Sequence, residues 1–179
     1  MTEDEALIRG AQAGDTQDFE QLLERYYDTL FSFAYKWCGN RADAEDVTQQ
    51  ACIKLSRSLP QFRFESAFSS WLYSVVINCA RDWARSQSRH SAPSIEMASE
   101  LMSEAPAVEQ QAYLWQLLQQ IDALPDGIKE TLLLVHAEGL SHGEAAEVLN
   151  VKESTVSWRL HEFRKQYRLS AEQGGIGDL

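Results

Sequence analysis

Between Gly139 and Lys165 the chain carries, in order, a helix stop, a helix start, a tight turn and a second helix start. Gly139 can end one helix, because glycine enters the left-handed region at no steric cost. Ser141 with Glu144 three residues on forms a capping box, which begins the next helix. Ala145, Ala146, Val148 and Leu149 give that short helix a small apolar face, and Asn150-Val151 makes the turn. Ser154 or Thr155 is expected to cap a longer helix, whose apolar stripe is Val156, Leu160, Phe163 and Tyr167. At about 100° per residue, Ser157, Trp158, His161, Arg164 and Lys165 fall on the opposite side. Two helices joined this tightly make a helix-turn-helix, and the side opposite the stripe is the one such a unit lays into a major groove. Any amphipathic helical hairpin shares the periodicity. The added series of stop, box, turn and cap is what favours DNA binding.

Charge argues the other way. Sixteen Lys and Arg stand against 27 Asp and Glu in 179 residues, a net charge of −11, and no part of the chain is basic overall. Neutralising phosphates supplies most non-specific DNA affinity. Either the DNA reading fails, or the chain binds DNA poorly alone and borrows affinity from a larger partner; the second reading is preferred. The rest of the composition narrows the class. With 44% hydrophobic residues the chain can bury a core. No apolar run reaches the roughly 18 residues of a membrane span, and the acidic start Met1-Thr2-Glu3-Asp4-Glu5 is unlike a secretory signal. Cys38, Cys52 and Cys79, odd in number and widely spaced, read as reduced thiols of a cytoplasmic protein.

Periodicity and breakers give an all-α chain of two small helical domains joined by a flexible linker. Helices are expected over 3–13, Thr16–Cys38, Ala42–Ser58 and Ser69–Ser88, with breaks at Gly14-Asp15, Gly39-Asn40 and Leu59-Pro60, and Gly10 read as another isolated break. Residues 91–109 are the linker, rich in Ser, Ala and Glu with Pro93 and Pro106. A helix begins between Ala107 and Ile121, Leu124-Pro125-Asp126 is a stop, Gly127–Ala137 is helical, and 171–179 is a frayed tail.

Two further constellations stand out in the first domain. Asp43, Glu45 and Asp46 crowd the start of the third helix, followed by Gln49 and Gln50. Acids there complement the helix dipole, and they also make a patch for a basic partner; sequence physics leaves both readings open. The fourth helix carries Arg81, Arg85 and Arg89 at spacing four, with Trp71, Asn78 and Asp82 expected on another side. Upstream lies an aromatic-rich loop, Phe62-Arg63-Phe64-Glu65-Ser66, leading to Phe68 and Leu72, both expected buried. Rings beside a cationic row suit unstacked bases, which stack while Arg tracks phosphate, and Asn can pair with a base edge. His90, His136, His142 and His161 lie on separate elements without a paired ligand motif, so no metal site is expected, and no nucleophile or cofactor motif supports catalysis or a cofactor.

Taken together, these pieces resemble the extracytoplasmic-function (ECF) sigma factors of bacterial RNA polymerase, over about residues 4–90 and 110–169. The matching stretches are Ala11-Gln12-Ala13-Gly14-Asp15 with Phe19, Arg41 through Gln49, Phe68-Ser69-Ser70-Trp71-Leu72-Tyr73 with Asn78, Leu124-Pro125, Gly139-Leu140-Ser141 through Thr155-Val156, and Arg159-Leu160-His161. The resemblance implies that residues 1–90 are sigma region 2 and 110–170 sigma region 4. It implies a polymerase-core partner at the β′ clamp helices and β flap, with Asp43, Glu45, Asp46, Gln49 and Gln50 docking on the clamp helices. It implies capture of a flipped minus-ten base by Phe62, Arg63, Phe64, Glu65, Ser66, Trp71 and Asn78, backbone contacts from Arg81 and Arg85, and reading of the minus-thirty-five element by Ser154, Thr155, Ser157, Trp158, Arg159, His161, Arg164 and Lys165. It further implies control by an anti-sigma factor. Two departures bear on these roles. Family loops before the Ser-Phe-x-x-Trp stretch usually carry a glycine, and 63–67 has none. Ser157 and Glu162 stand where basic residues are common, and Trp158 where a small one is usual. The rival reading is a dimeric helix-turn-helix regulator with a helical sensor domain; an adaptor bundle and an enzyme follow.

Overall fold

The first three helices each begin on a polar side chain that accepts their orphan N–H groups. Thr2 Oγ1 accepts from the Glu5 amide at 3.2 Å and opens α1, Glu3–Gln12. Asp15 Oδ1 accepts from the Gln17 and Asp18 amides at 2.8 and 3.2 Å and opens α2, Thr16–Cys38. Asn40 opens α3, Arg41–Ser58. Each such cap contributes about 1 kcal/mol. The computed structural model describes residues 2–88 and 127–173, and every regular element among them is helical. The chain divides into two compact units, Met1–Glu104 and Ala105–Leu179.

In the first unit α2 is the central helix, packed on α1, α3 and α4, the last spanning Phe68–Ser88. Leu22, Leu30, Phe33 and Ala34 of α2 meet Ala44, Val47, Ala51 and Leu55 of α3 and Leu72, Val76 and Ala80 of α4, all buried. Phe68 and Leu72 are buried as expected. The break expected at Gly10 is not there. Gly10 lies inside α1, where a Cβ would fall 1.6 Å from Asp18 Oδ2, so its missing side chain lets α1 approach α2. The stop at Leu59-Pro60 is also softer than expected: Leu59–Gln61 continues α3 as a 3₁₀ turn, because proline is tolerated in the first turn of a helix.

The second unit contains α5, Ile128–Leu132, a π-helical turn over Leu133–Ala137, α6, His142–Leu149, and α7, Glu153–Gln173. Ile128, Leu132, Leu133, Leu134, Ala145, Val148, Val156 and Leu160 form its core. Gly139 takes φ +74, and Ser141 and Glu144 make the reciprocal capping box. Asn150, at φ 52, ends α6 in the left-handed conformation that asparagine tolerates. Neither Ser154 nor Thr155 caps α7. The helix starts at Glu153, and the Lys152 carbonyl accepts from the Thr155 and Val156 amides at 2.8 and 3.3 Å. The first residues of the expected tail belong to α7, which runs to Gln173; the rest of the tail, the linker, the helix starting between Ala107 and Ile121 and the Leu124-Pro125-Asp126 stop lie outside the described residues. Among the described residues no helix is long and apolar enough to cross a membrane, and no group of His, Cys, Asp and Glu is placed to hold a metal.

Candidate nucleic-acid and partner interfaces

The acidic turn divides on inspection of its contacts. With α3 starting at Arg41, only Asp43 sits in the first turn. Its amide donates to Asn40 Oδ1 at 2.9 Å, and Asn40 Nδ2 donates back to its carboxylate at 2.6 Å, so half-buried Asp43 completes a cap. Glu45 is held by Arg41, Nε to Oε1 at 2.7 Å. Asp46, Gln49 and Gln50 are exposed on one face, with Asp43 and Glu45 at its two edges. Of the three acids, Asp46 is the most open, while Asp43 and Glu45 are partly covered and engaged by Asn40 and Arg41. At the centre of that face is Ile53, 45% exposed, a residue the sequence reading left out. Its signal was weak, since an apolar residue between Cys52 and Leu55 reads as core. Asp46, Gln49, Gln50, Ile53 and Arg57 of α3 line a groove of about 760 Å³ with Asp82 and Trp83 of α4. The Trp83 indole Nε1 is buried there and donates to nothing among the described residues.

The aromatic loop is held as a cluster. Phe62 lies 4.9 Å from Phe64, 5.2 Å from Phe68 and 5.3 Å from Trp71, ring centre to ring centre. Phe62 is only 6% exposed and works as a wall of the cluster; Trp71 is half-buried, and Arg63, Glu65 and Ser66 are exposed. Without a glycine, Phe64 itself takes the positive φ, +60. The Arg9 guanidinium stacks 4.4 Å over its ring, and Gln12 Nε2 donates to the Leu59 and Phe62 carbonyls at 2.9 and 2.8 Å. A cavity of about 450 Å³ at the loop is lined by Phe62, Phe64, Ser66 and Phe68 together with Asp4, Glu5 and Ile8 of α1. Asp4 accepts from the Tyr26 hydroxyl at 2.6 Å and is bonded to Arg25. Tyr26 first and Arg25 second hold its carboxyl below the usual range, and Arg9 does the same for Glu5. Burial, then the bond to Asp4, pushes the Tyr26 phenol up to about 12.

Along α4, Asn78, Asp82 and Arg85 are exposed and Arg81 is half-buried. The separation expected between the Arg row and the side bearing Trp71, Asn78 and Asp82 does not hold. Arg85 Nη2 is bonded to Asp82 Oδ1 one turn back, so cation and acid share one strip. Arg89 lies outside the described residues.

On α7, Ser154, Ser157, Trp158, His161, Arg164 and Lys165 are exposed, with Trp158 at 54%. Val156 and Leu160 are buried beneath them. Ser157 Oγ and His142 Nδ1 share a hydrogen bond at 2.9 Å, tying the start of α6 to the exposed side of α7. Thr155 and Arg159 are half-buried and stand apart. Arg159 turns inward: Nη1 reaches Thr131 Oγ1 at 3.4 Å, and its guanidinium covers Gly127, where a Cβ would lie 2.4 Å away. In this position its side chain packs against α5 instead of standing with the exposed residues of α7. Burial first, then Arg164 and His142, lowers the pKa of His136.

The sigma-70 region 2 family model matches residues 22–90, and the sigma-70 region 4 model matches residues 114–166. The ECF RNA polymerase sigma-E factor of Haemophilus influenzae is 29% identical over 174 residues, covering 90% of this chain and 92% of that protein. The chain belongs to the ECF sigma factors of the sigma-70 family. Among solved structures, CnrH in complex with the cytosolic domain of CnrY superposes on this ECF sigma factor with TM-score 0.69 and 25% identity, covering 97% of this chain and 99% of that one. The sigma factor RpoE of Bartonella quintana, solved with the anti-sigma factor NepR, shares the fold at TM-score 0.65 and 20% identity, covering 90% and 99%.

Proposed function

We propose that residues 1–90 act as region 2 and 110–170 as region 4 of a sigma factor that docks on core RNA polymerase in the cytoplasm, opens promoter DNA and directs initiation. The observation that carries this reading is the pairing of the two matched regions with two distinct surfaces: a ringed cavity at a strained loop in the first unit, and an exposed recognition-helix face in the second. Core docking is assigned to the α3 face of Asp46, Gln49 and Gln50, with Ile53 as its apolar centre; Asp43 and Glu45 support the helix at its edges. Interfaces gain most from a desolvated apolar centre with a polar rim, and this face has that pattern. An acceptor on the partner would also satisfy the Trp83 indole.

Minus-ten capture is assigned to the loop 62–66, with Trp71 and Asn78 beside it and Arg81 and Arg85 along the strand. Rings stack unpaired bases without needing a cation at the base itself. The minus-thirty-five element is assigned to Ser154, Ser157, Trp158, His161, Arg164 and Lys165, with Thr155 at the edge. Only Arg164 and Lys165 in that set are permanently cationic, which supports a dependence on polymerase for DNA affinity. Control by an anti-sigma factor belongs to the proposal, supported by the complexed state of a protein of the same fold. The function is that of an initiation factor, not an enzyme.

Co-elution with purified core polymerase tests the docking assignment. The native chain is expected to co-elute, and Ile53→Asp and Asp46→Lys to lose association while keeping the native melting temperature. Undiminished co-elution of both variants would remove the assignment.

A further inference from the structure

α1 precedes the stretch matched by the region 2 family model, which begins at residue 22, yet it lines part of the cavity at the loop. It does two different things there. Gln12 and Arg9 fix the loop: the first by two hydrogen bonds to the Leu59 and Phe62 carbonyls, the second by covering the ring of Phe64. Asp4 and Glu5 instead line the cavity, together with the rings of Phe62, Phe64 and Phe68. The described lining includes no Lys or Arg. Arg9 is bonded to Glu5 at 2.8 Å, and Arg25 is bonded to Glu3 and Asp4. A phosphate entering the cavity would meet carboxylates. A base would meet rings for its faces and acceptors for its edge.

We infer that α1 is the base-selecting wall of this site: Gln12 and Arg9 position the loop, and the carboxylates of Asp4 and Glu5 admit an unstacked base bearing an exocyclic amino group and reject thymine. The inference rests on the reading of the 62–66 loop as the minus-ten capture site. An ionised carboxylate only accepts hydrogen bonds. Cytosine and adenine offer it an amino group, and guanine an amino group beside a ring N–H. Thymine offers a single N–H flanked by two carbonyl oxygens, which face the carboxylates with like partial charge. Volume does not discriminate, since about 450 Å³ holds any of the four. The edge chemistry does, and acceptor-to-amino pairing is the same device by which Glu and Asp read cytosine in duplex DNA.

Holoenzyme assembled from purified core and the full chain is incubated with a pool of short DNA single strands of random sequence, and the captured strands are sequenced. The native protein is expected to deplete thymine about tenfold at one position, the scale of a good base-edge contact. Glu5→Gln, at the cavity rim, and the pair Asp4→Asn with Glu5→Gln are expected to bring that depletion to about twofold or less, with the melting temperature recorded for each. Gln12→Ala is expected to lower total capture while leaving the base pattern unchanged, which separates positioning from readout. No thymine-depleted position, or a depletion that persists in both carboxylate variants, overturns the inference. If Phe64→Ala and Trp71→Ala capture the pool as well as the native protein, the loop is not the single-strand site, and the underlying reading fails together with this one.

Discussion

Phe64 holds φ +60, a conformation that costs a bulky residue roughly 1–3 kcal/mol. Contacts with Phe62 and Arg9 stabilise it. Phe64→Gly should therefore relieve strain while removing the ring: stability stays within about 1 kcal/mol of native, and promoter opening, read by permanganate reactivity of unpaired thymines, falls about tenfold, the scale of one lost stacking contact. Native-level opening would show that the ring has no part in capture. Arg159 behaves differently from its exposed neighbours, because its guanidinium covers Gly127 and reaches Thr131. Arg159→Ala is expected to destabilise by about 1 kcal/mol through lost packing and to leave the minus-thirty-five base preference as it was; a changed preference in a binding-site selection would return Arg159 to the DNA face. Tyr26 titrates late because burial and its bond to Asp4 raise its pKa to about 12. A raised pKa contributes stability that is full below the unfolded value near 10 and lost as pH rises through the folded one. An ultraviolet titration should show a late tyrosine ionisation near pH 12 that is missing in Tyr26→Phe.

At the scale of the element, α3 combines a cap and the proposed docking face, which the sequence alone runs together. Asn40→Ala should cost about 1 kcal/mol of stability through the lost cap, and Asp43→Lys should also destabilise, because it removes the reciprocal bond. Both are expected to retain core binding once folded, unlike Ile53→Asp. Loss of binding in Asn40→Ala without loss of stability would contradict this division. The helix itself was legible. Gly39 and Asn40 mark its start, and the apolar spacing of Ala44, Val47, Ala51 and Leu55 its buried face. The roles on it were not, because a cap residue and a docking residue are both acids near an N-terminus until the partner of each carboxylate is known. The helix-turn-helix was legible for the same reason: Gly139, Ser141 and Glu144 act locally. Local signals stop short of long-range packing. Gly127 and Arg159 meet across 32 residues, and α1 reaches the loop through Gln12 across about 50. No spacing rule connects such pairs.

Over the whole molecule, the net charge of −11 sets how the chain can use its DNA-facing surfaces. With acids in excess throughout, duplex binding by the chain alone is expected in the micromolar range or weaker at physiological salt, as for proteins with few phosphate contacts. On the proposed function its affinity for promoters comes from polymerase, so that docking is the first event and DNA recognition the second. The acidic balance, which first seemed to oppose the helix-turn-helix, is consistent with a subunit that leaves promoters alone until it is bound. Run-off transcription with purified core polymerase on a promoter library measures this most directly. Core with the native chain is expected to initiate from a defined set of start sites, core alone and core with Ile53→Asp from none of them; no initiation with the native chain, or equal initiation with Ile53→Asp, would contradict it.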